Sequence, residues 1–226
     1  MKLHFLGKGA AFYPAFGNTN AWFEYDNDLY FLDFGESSFE KVVRTIDLKK
    51  YRQIYVLLTH LHADHAGSLA SFMSYTSIVL GLHVKVVHPV DTVVQLLSIM
   101  GISKSFYDYL PALPADCPVT ARPVPVRHAD DMKTFGYVIS AGDDCFYFSG
   151  DSAELPADIR DAFLTGQIQN IYHDTASHHS PSHCHYETLE AVIPAEKRRD
   201  FYCMHLDADI VDLLRSKGFS VVETDD

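Results

Sequence analysis

One short segment constrains this chain more than any other, because an apolar run leads directly into a cluster of metal-binding residue types. The run IYVLL at residues 54–58 predicts a strand buried on both faces, and THLHADH follows it at residues 59–65. His60 and His62 are two positions apart and therefore share a side of an extended backbone. His62 and His65 are three apart and share a face once a helix begins.

These side chains are of the kinds that zinc and iron(II) bind, namely imidazole and carboxylate groups. A lone histidine in this place would indicate a solvated turn. Three histidines and Asp64 within six residues, directly after a buried strand, favour a metal site at the strand end.

Short strand-like runs alternate with helical spacing along the chain, and no low-complexity linker or internal repeat interrupts them. The sequence predicts strands near residues 2–6, 21–25, 29–33, 54–58, 84–88, 122–128, 135–140, 145–149, 169–173, 199–204 and 219–223. It predicts helices near residues 37–46, from His65 to about Tyr75, and near 91–100, 156–164, 186–193 and 208–217. This pattern predicts an α/β fold, a four-layer αββα sandwich of two mixed β-sheets flanked by helices, formed by residues 1–226 as a single domain.

Composition favours a folded cytoplasmic protein over a nucleic-acid-binding, secreted or membrane protein. Hydrophobic residues make up 47% of the 226 residues and charged residues 21%, which disfavours wholesale disorder. The net charge of -12 disfavours general nucleic-acid binding, although bound metal cations would create a local positive spot. The start of the chain lacks a signal-peptide run, no apolar run reaches the length of a membrane span, and four cysteines without a C-x-x-C pair are expected to be reduced.

The motif at residues 60–65, His-x-His-x-Asp-His after an apolar strand, resembles the signature of the metallo-β-lactamase superfamily. Four further pieces match in the order of that family: Leu-Asp-Phe-Gly at 32–35, Val-Arg-His at 126–128, Ser-Gly-Asp at 149–151 and Tyr-Cys-Met-His at 202–205. The resemblance covers most of the chain and implies the metallo-β-lactamase fold.

The resemblance also implies a site for two divalent transition-metal ions, with zinc as the expected metal and manganese or iron as alternatives. The seven implied ligands are His60, His62 and His128 for one ion, Asp64, His65 and His205 for the other, and Asp151 as the bridge between them. Such a pair of ions activates one water and stabilises the charge of an attacked phosphoryl or carbonyl group. Asp33 is expected to hold the second ring nitrogen of one ligand histidine.

Within the superfamily, the nearest likeness is to ribonuclease Z and related phosphodiesterases. FLGKGAA at residues 5–11 resembles their opening, and YHDTA at 172–176 resembles their His-Glu-Ala-Thr segment, with Asp for Glu. In that group a histidine upstream of the late ligand donates a proton to the leaving group, a place that His183 matches best, with His185 as the close alternative. Asp64, His183 and His185 are therefore the expected catalytic residues.

Five histidines lie between residues 173 and 185. They indicate an active-site loop that carries a general acid and extra metal affinity. The alternative is a polar loop in which most of these histidines are solvated.

Together these features predict a metal-dependent hydrolase, a phosphodiesterase on a small or nucleotide-like substrate. A thioesterase or lactonase of the same superfamily is the alternative, because the fold does not fix the substrate. A non-catalytic metal-binding or regulatory protein is disfavoured, since all seven expected ligands are present. Transfer RNA is disfavoured because no long Gly-rich basic insertion is evident, and Phe106, Tyr107 and Tyr109 predict core packing or a homodimer contact, with an active-site lid as the alternative.

Overall fold

The computed structural model describes residues 2–225, which form two six-stranded sheets. The strands of the first sheet lie in chain order: β1 (His4–Phe5), β2 (Ala21–Tyr25), β3 (Asp28–Leu32), β4 (Gln53–Leu57), β5 (Val84–Val87) and β6 (Tyr107–Leu110). β1 to β3 pair antiparallel, and β3 to β6 pair parallel.

The second sheet follows the same plan in the second half of the chain. Its strands are β7 (Val119–Val126), β8 (Thr134–Ala141), β9 (Asp144–Phe148), β10 (Asn170–Asp174), β11 (Phe201–Met204) and β12 (Ser220–Val221). β7 to β9 pair antiparallel, and β9 to β12 pair parallel.

Seven α-helices connect these strands in the described part of the chain: α1 (Ser38–Thr45), α2 (Ala63–Ala66), α3 (Leu69–Ser74), α4 (Thr92–Ile99), α5 (Ala157–Leu164), α6 (Tyr186–Val192) and α7 (Val211–Ser216). Short 3₁₀ turns occur at Pro14–Phe16, Leu48–Lys50, Lys104–Phe106 and Ala195–Asp200. No helix within residues 2–225 has the length and apolar character needed to cross a membrane.

Buried aromatic rings join the two sheets face to face. Tyr30 stacks between Phe23 and Tyr55 of the first sheet, at ring distances of 4.9 and 5.0 Å, and Phe23 meets Phe146 of the second sheet edge-on at 5.9 Å. Phe72 of α3 belongs to a separate core on the other face of the first sheet, and Phe163 of α5 belongs to one on the other face of the second. The predicted four-layer αββα sandwich is therefore confirmed.

The segment after His65 is more broken than its helical spacing predicts. It forms α2 and α3 with a break at Gly67 and Ser68, and it continues as one π-helical segment, Tyr75–Leu80, that ends at Gly81 with a φ of 67°. The hairpin between β2 and β3 turns at Asp26 and Asn27, whose φ angles of 51° and 62° suit a tight two-residue turn.

The strand β6 was not predicted from the sequence. It contains Tyr107 and Tyr109, and Tyr107 is buried in the core between the first sheet and its helices, so core packing is correct for that residue. All four cysteines are free, as expected.

Gly35 allows the motif segment at residues 60–65 to pack closely against the loop after β3. The amide of Phe34 donates to the carbonyl of His65 at 2.7 Å, and the amide of Glu36 donates to the carbonyl of Ala63 at 3.1 Å. Between them, a Cβ on Gly35 would lie 1.8 Å from the carbonyl oxygen of Asp64. Only glycine permits this approach, which holds the start of α2 in place.

Candidate metal centre

The predicted ligands follow the ends of four strands and meet at one place. The motif residues follow β4, His128 follows β7, Asp151 follows β9, and His205 follows β11. Their ligand atoms form two groups that share Asp151, and within each group all the atoms lie within 4.8 Å of one another.

The first group contains three imidazoles and one carboxylate. Nε2 of His60 lies 2.9 Å from Nδ1 of His62, which in turn lies 3.2 Å from Nε2 of His128. Oδ2 of Asp151 lies 3.9 Å from Nε2 of His60 and 3.5 Å from Nε2 of His128. Tetrahedral zinc with bonds of about 2.0–2.1 Å places its ligand atoms roughly 3.3 Å apart, so this spacing suits one ion.

The second group contains two imidazoles and two carboxylates. Nε2 of His65 lies 3.1 Å from Oδ2 of Asp64 and 3.0 Å from Oδ1 of Asp151. Nε2 of His205 lies 3.2 and 3.1 Å from the same two oxygens. The two oxygens of Asp151 thus face different groups.

Two buried atoms of this centre lack partners, which bears on whether a metal fits there. Nε2 of His65 and Oδ1 of Asp151 are buried and have no hydrogen-bond partner, although they lie 3.0 Å apart. Buried polar atoms without a partner are costly, and a cation between them would satisfy both. The residues therefore fit divalent metal binding.

Oxygen atoms hold the ring nitrogens that face away from the centre. Asp33 accepts from the amide of Thr59 at 2.7 Å and from its hydroxyl at 2.8 Å, and its Oδ2 lies 2.8 Å from Nδ1 of His65. Nδ1 of His128 lies 2.9 Å from the carbonyl oxygen of Ser182. Partners of this kind fix the tautomer and the orientation of a ligand histidine.

The backbone is strained at two of these positions. Asp33 and His205 have φ angles of 64° and 56°, and the other two positive values at non-glycine residues in the described chain belong to the hairpin turn. Such conformations cost on the order of 1–3 kcal/mol each and are found at functional sites. The amide of His205 donates to the hydroxyl of Thr19 at 3.0 Å, which holds the strained residue in place.

Electrostatics at the centre favour a cation. Burial alone would raise the pKa of Asp151, yet the charges of His205 and His65 hold it well below its usual range. Burial lowers the pKa of His205, but Asp151 and Asp174 outweigh that effect and raise it to about 10. Burial lowers the pKa of His60 well below its usual value, which keeps this imidazole in the neutral, metal-binding form.

The two histidines predicted as proton donors lie in different surroundings. His183 lines the cavity beside the two groups, and its ring lies 5.0 Å from that of His128 and 5.2 Å from that of His205. Burial lowers the pKa of His183, but the hydrogen bond to Asp174 and the negative charges of Asp174 and Asp151 together outweigh burial and raise it. His185 is not among the lining residues; its Nδ1 accepts from the amide of Glu187 at 3.4 Å at the start of α6.

Asp174 is a part of this centre to which the sequence analysis gave no role, although it lies in the YHDTA segment at 172–176. It is fully buried at the end of β10, where Oδ2 accepts from the amide of Ser152 at 3.0 Å. The same oxygen lies 2.7 Å from Nδ1 of His183, and Oδ1 lies 3.4 Å from Nδ1 of His205. An aspartate that ends a strand, the signal that identified Asp33, could have pointed to it.

A cavity of about 540 Å³ opens onto the centre. One part of its wall is apolar and includes Ala10, Ala11 and Phe12, of which Phe12 is 98% exposed. The rest includes histidines and aspartates already described, two alanines, and two further carboxylates, Glu36 and Asp207. Its lining residues include no lysine or arginine in the described chain.

Two mixed sheets flanked by helices, with histidine and aspartate groups at the strand ends, define a protein of the metallo-β-lactamase fold. The chain belongs to the family described as Anti-Pycsar protein Apyc1, because the model of that family matches residues 1–98 and 114–223. The Anti-Pycsar protein Apyc1 of Paenibacillus harenae is 24% identical over 230 residues, an alignment that covers 94% of this chain and 92% of that protein.

Solved structures share the fold at low sequence identity. The metallo-β-lactamase fold protein YhfI of Bacillus subtilis has a TM-score of 0.76 at 13% identity and covers 98% of this chain and 96% of its own. A diphosphatase of the PhnP family has a TM-score of 0.72 at 18% identity, and the match covers 98% of this chain and 94% of the diphosphatase. The short form of human tRNase Z has a TM-score of 0.72 at 15% identity, and the match covers 99% of this chain and 97% of the tRNase Z chain. The predicted likeness in fold to the metallo-β-lactamase superfamily and to ribonuclease Z is confirmed.

Proposed function

We propose that this chain is a metal-dependent phosphodiesterase that hydrolyses a small or nucleotide-like substrate. The observation that carries the proposal is the position of Asp151. Its Oδ2 faces His60 and His128, and its Oδ1 faces His65 and His205, at distances of 3.0–3.9 Å. A carboxylate shared by two groups of ligands supports a pair of metal ions with one bridging ligand.

Two divalent transition-metal ions would be held by the seven predicted ligands, with zinc as the expected metal and manganese or iron as alternatives. When bound, such a pair supplies a nucleophilic water at neutral pH and stabilises charge on an attacked phosphoryl group. Asp33, Asp174 and the carbonyl of Ser182 would keep the ligand rings oriented from behind. Asp64 belongs to the reacting centre as a ligand in the second group.

His183 would donate the proton to the leaving oxygen. Its Nδ1 is held by the carboxylate of Asp174, so Nε2 is the ring nitrogen left to exchange a proton with a substrate in the cavity. His185 is the alternative donor. Its Nε2 is engaged by the carbonyl of Ser177 at 3.1 Å, outside the cavity, which favours His183.

The cavity supports a small substrate. About 540 Å³ is a volume typical of sites for small molecules. The apolar wall at Ala10, Ala11 and Phe12 suits a flat group such as a nucleobase. Because the lining contains carboxylates and no lysine or arginine in the described chain, a phosphate would depend on the metals for its attraction to the site.

The relatives support the same reaction class and suggest a biological role. Two similar structures are named as a diphosphatase and a tRNase Z, and both names refer to cleavage of phosphate-containing substrates. The relative from Paenibacillus harenae is named an anti-Pycsar protein, and we extend that role to this chain.

A panel of nitrophenyl phosphodiester, thioester and lactone substrates tests the reaction class. The protein would be purified without chelator, analysed for metal, and assayed with zinc and with manganese. We expect about two tightly held metal ions per chain and fastest turnover of the phosphodiester. Asp151→Ala, purified in parallel, controls for contaminating hydrolases. Faster turnover of a thioester or lactone would replace the phosphodiesterase with the alternative class, and a protein without metal after reconstitution would contradict the metal centre.

A further inference from the structure

A further cluster of ligand-type residues lies outside the cavity, on the segment between β10 and α6 and on the first turn of α6. The ligand atoms of His179, His185 and Glu187 all lie within 4.8 Å of one another. None of the three lines the cavity of the main centre. His179 and Glu187 are exposed, whereas His185 is buried with 8% of its surface accessible.

The tautomer of His185 is fixed by its surroundings. Its Nε2 lies 3.1 Å from the carbonyl oxygen of Ser177, which can only accept a hydrogen bond, so Nε2 carries the hydrogen. Nδ1 then presents its lone pair, and it accepts a long hydrogen bond of 3.4 Å from the amide of Glu187. The Oε2 atom of Glu187 lies only 3.7 Å from Nδ1. A cation between Nδ1 and this carboxylate would replace the long hydrogen bond from the amide.

A second imidazole lies beside this pair. The ring of His179 stacks on that of His185 at 3.8 Å, with an angle of 25° between the planes. His179 makes no hydrogen bond to any other residue in the described chain, so its ring is free to tilt out of the stack and direct one nitrogen at an ion shared with His185. Two imidazoles and a carboxylate form a donor set that zinc binds, and a backbone carbonyl behind a ligand histidine is the usual orienting partner.

We propose that His179, His185 and Glu187 form a third divalent-metal site, separate from the main centre and selective for zinc over magnesium. Its exposed ligands leave positions for water, so its ion exchanges more readily than ions in the buried centre. The site would also tie down the loop that carries His183. That loop is closed at its base by hydrogen bonds from the amide of Ala176 to Cys184 at 2.8 Å and from the amide of Tyr186 to Ala176 at 3.1 Å.

Zinc binding to the full chain, measured by equilibrium dialysis with elemental analysis, tests the site. The variants are His179→Ala and Glu187→Gln, because both side chains are exposed and their replacement spares the buried ring of His185. We expect wild type to bind one more zinc ion per chain than either variant, or to bind its last ion at least about tenfold more tightly. Magnesium at the same concentration should not displace this ion.

His178→Ala is the matched control, because His178 is an exposed histidine of the same loop, with 79% of its side chain accessible, and pairs with Asp207 instead. It should keep the additional zinc ion. Equal zinc binding by wild type, His179→Ala and Glu187→Gln would overturn the proposal, and so would an equal loss in His178→Ala, which would indicate non-specific binding by surface histidines. The result is a difference between matched proteins, so it is independent of the substrate and of the ion count in the main centre.

Discussion

Oδ2 of Asp174 lies 2.7 Å from Nδ1 of His183, while Oδ1 of the same carboxylate lies 3.4 Å from Nδ1 of His205. One buried side chain therefore contacts both the proposed proton donor and a proposed metal ligand. Because Asp174 is fully buried, these contacts are made without competition from solvent. On the proposed roles, Asp174 would link metal binding to proton donation.

Asp174→Asn should impair both properties. Loss of an orienting carboxylate behind a ligand histidine typically weakens metal binding by about 10–100-fold, and His183 would lose the partner that orients it. Zinc affinity and turnover of an alkyl phosphodiester are the measurements. Asp33→Asn is the control, since Asp33 contacts His65 but not His183. It should weaken metal binding without changing the dependence of rate on the leaving group. Wild-type metal affinity in Asp174→Asn would contradict the link.

Asp151→Ala and His205→Ala should differ in metal content. Asp151 belongs to both groups of ligands, whereas His205 belongs to the second metal group but not the first. Asp151→Ala should therefore lose metal from both places, and His205→Ala should mainly lose one ion. Elemental analysis after dialysis against a fixed free zinc concentration gives the number of zinc ions bound per chain. Equal stoichiometry in wild type and Asp151→Ala would rule out the shared carboxylate as a bridge.

Removal of metal should lower the melting temperature. A ligand that binds only the folded state at a hundred times its Kd stabilises that state by about 2.7 kcal/mol. For a chain of this size, that corresponds to a decrease of roughly 5–10 °C when a chelator is added. Scanning calorimetry with and without chelator measures the shift, and added zinc should reverse it. Asp151→Ala should show a smaller shift, and an unchanged melting temperature in wild type would contradict a buried metal centre.

The elements with a strong local pattern could be predicted from the sequence. The run at 54–58 and the motif after it have a spacing that fixes their geometry within a few residues, and β4 and α2 lie there. β6 could not be predicted because it has four residues, of which Asp108 is polar, and its pairing with β5 depends on distant chain. The family described as Anti-Pycsar protein Apyc1 was not reached from the residues, since the motif is shared across the superfamily.

The resemblance favoured His183 over His185 as the proton donor, but the residue spacing alone could not decide between them. The two histidines are two positions apart and would share one side of an extended segment, so their spacing does not show which one faces the substrate. In the structure, α6 begins directly after His185, and that residue turns to cap the helix while His183 lines the cavity. The role of Asp174 likewise depends on the parallel pairing of β10 with β11, which brings the residue beside Met204 and the ligand that follows it.

Phe12→Ala should weaken substrate binding and spare the fold. Phe12 lines the cavity and is 98% exposed, so its removal should change stability by less than about 0.5 kcal/mol. Stacking of a base on an aromatic ring contributes about 1–3 kcal/mol, which would raise KM by roughly 5- to 150-fold for a nucleotide-like substrate. Ile99→Ala is the control, because Ile99 is 86% exposed and does not line the cavity. An unchanged KM with a nucleotide-like substrate would place the recognition of that group elsewhere.

His183→Ala should lower turnover and leave the metal content intact. Proton donation to a leaving group contributes about 10²–10⁴-fold, so the loss should have that size for an alkyl phosphodiester. A nitrophenolate needs little protonation as it leaves, so the loss should be much smaller for a nitrophenyl ester. The measurements are kcat for both substrates and elemental analysis of the same preparation. His185→Ala is the comparison, because its ring contacts Ser177 and Glu187 outside the cavity. If His185→Ala loses turnover of the alkyl ester and His183→Ala does not, the proton donor is His185. Asp174 would then act only by orienting the ligand His205.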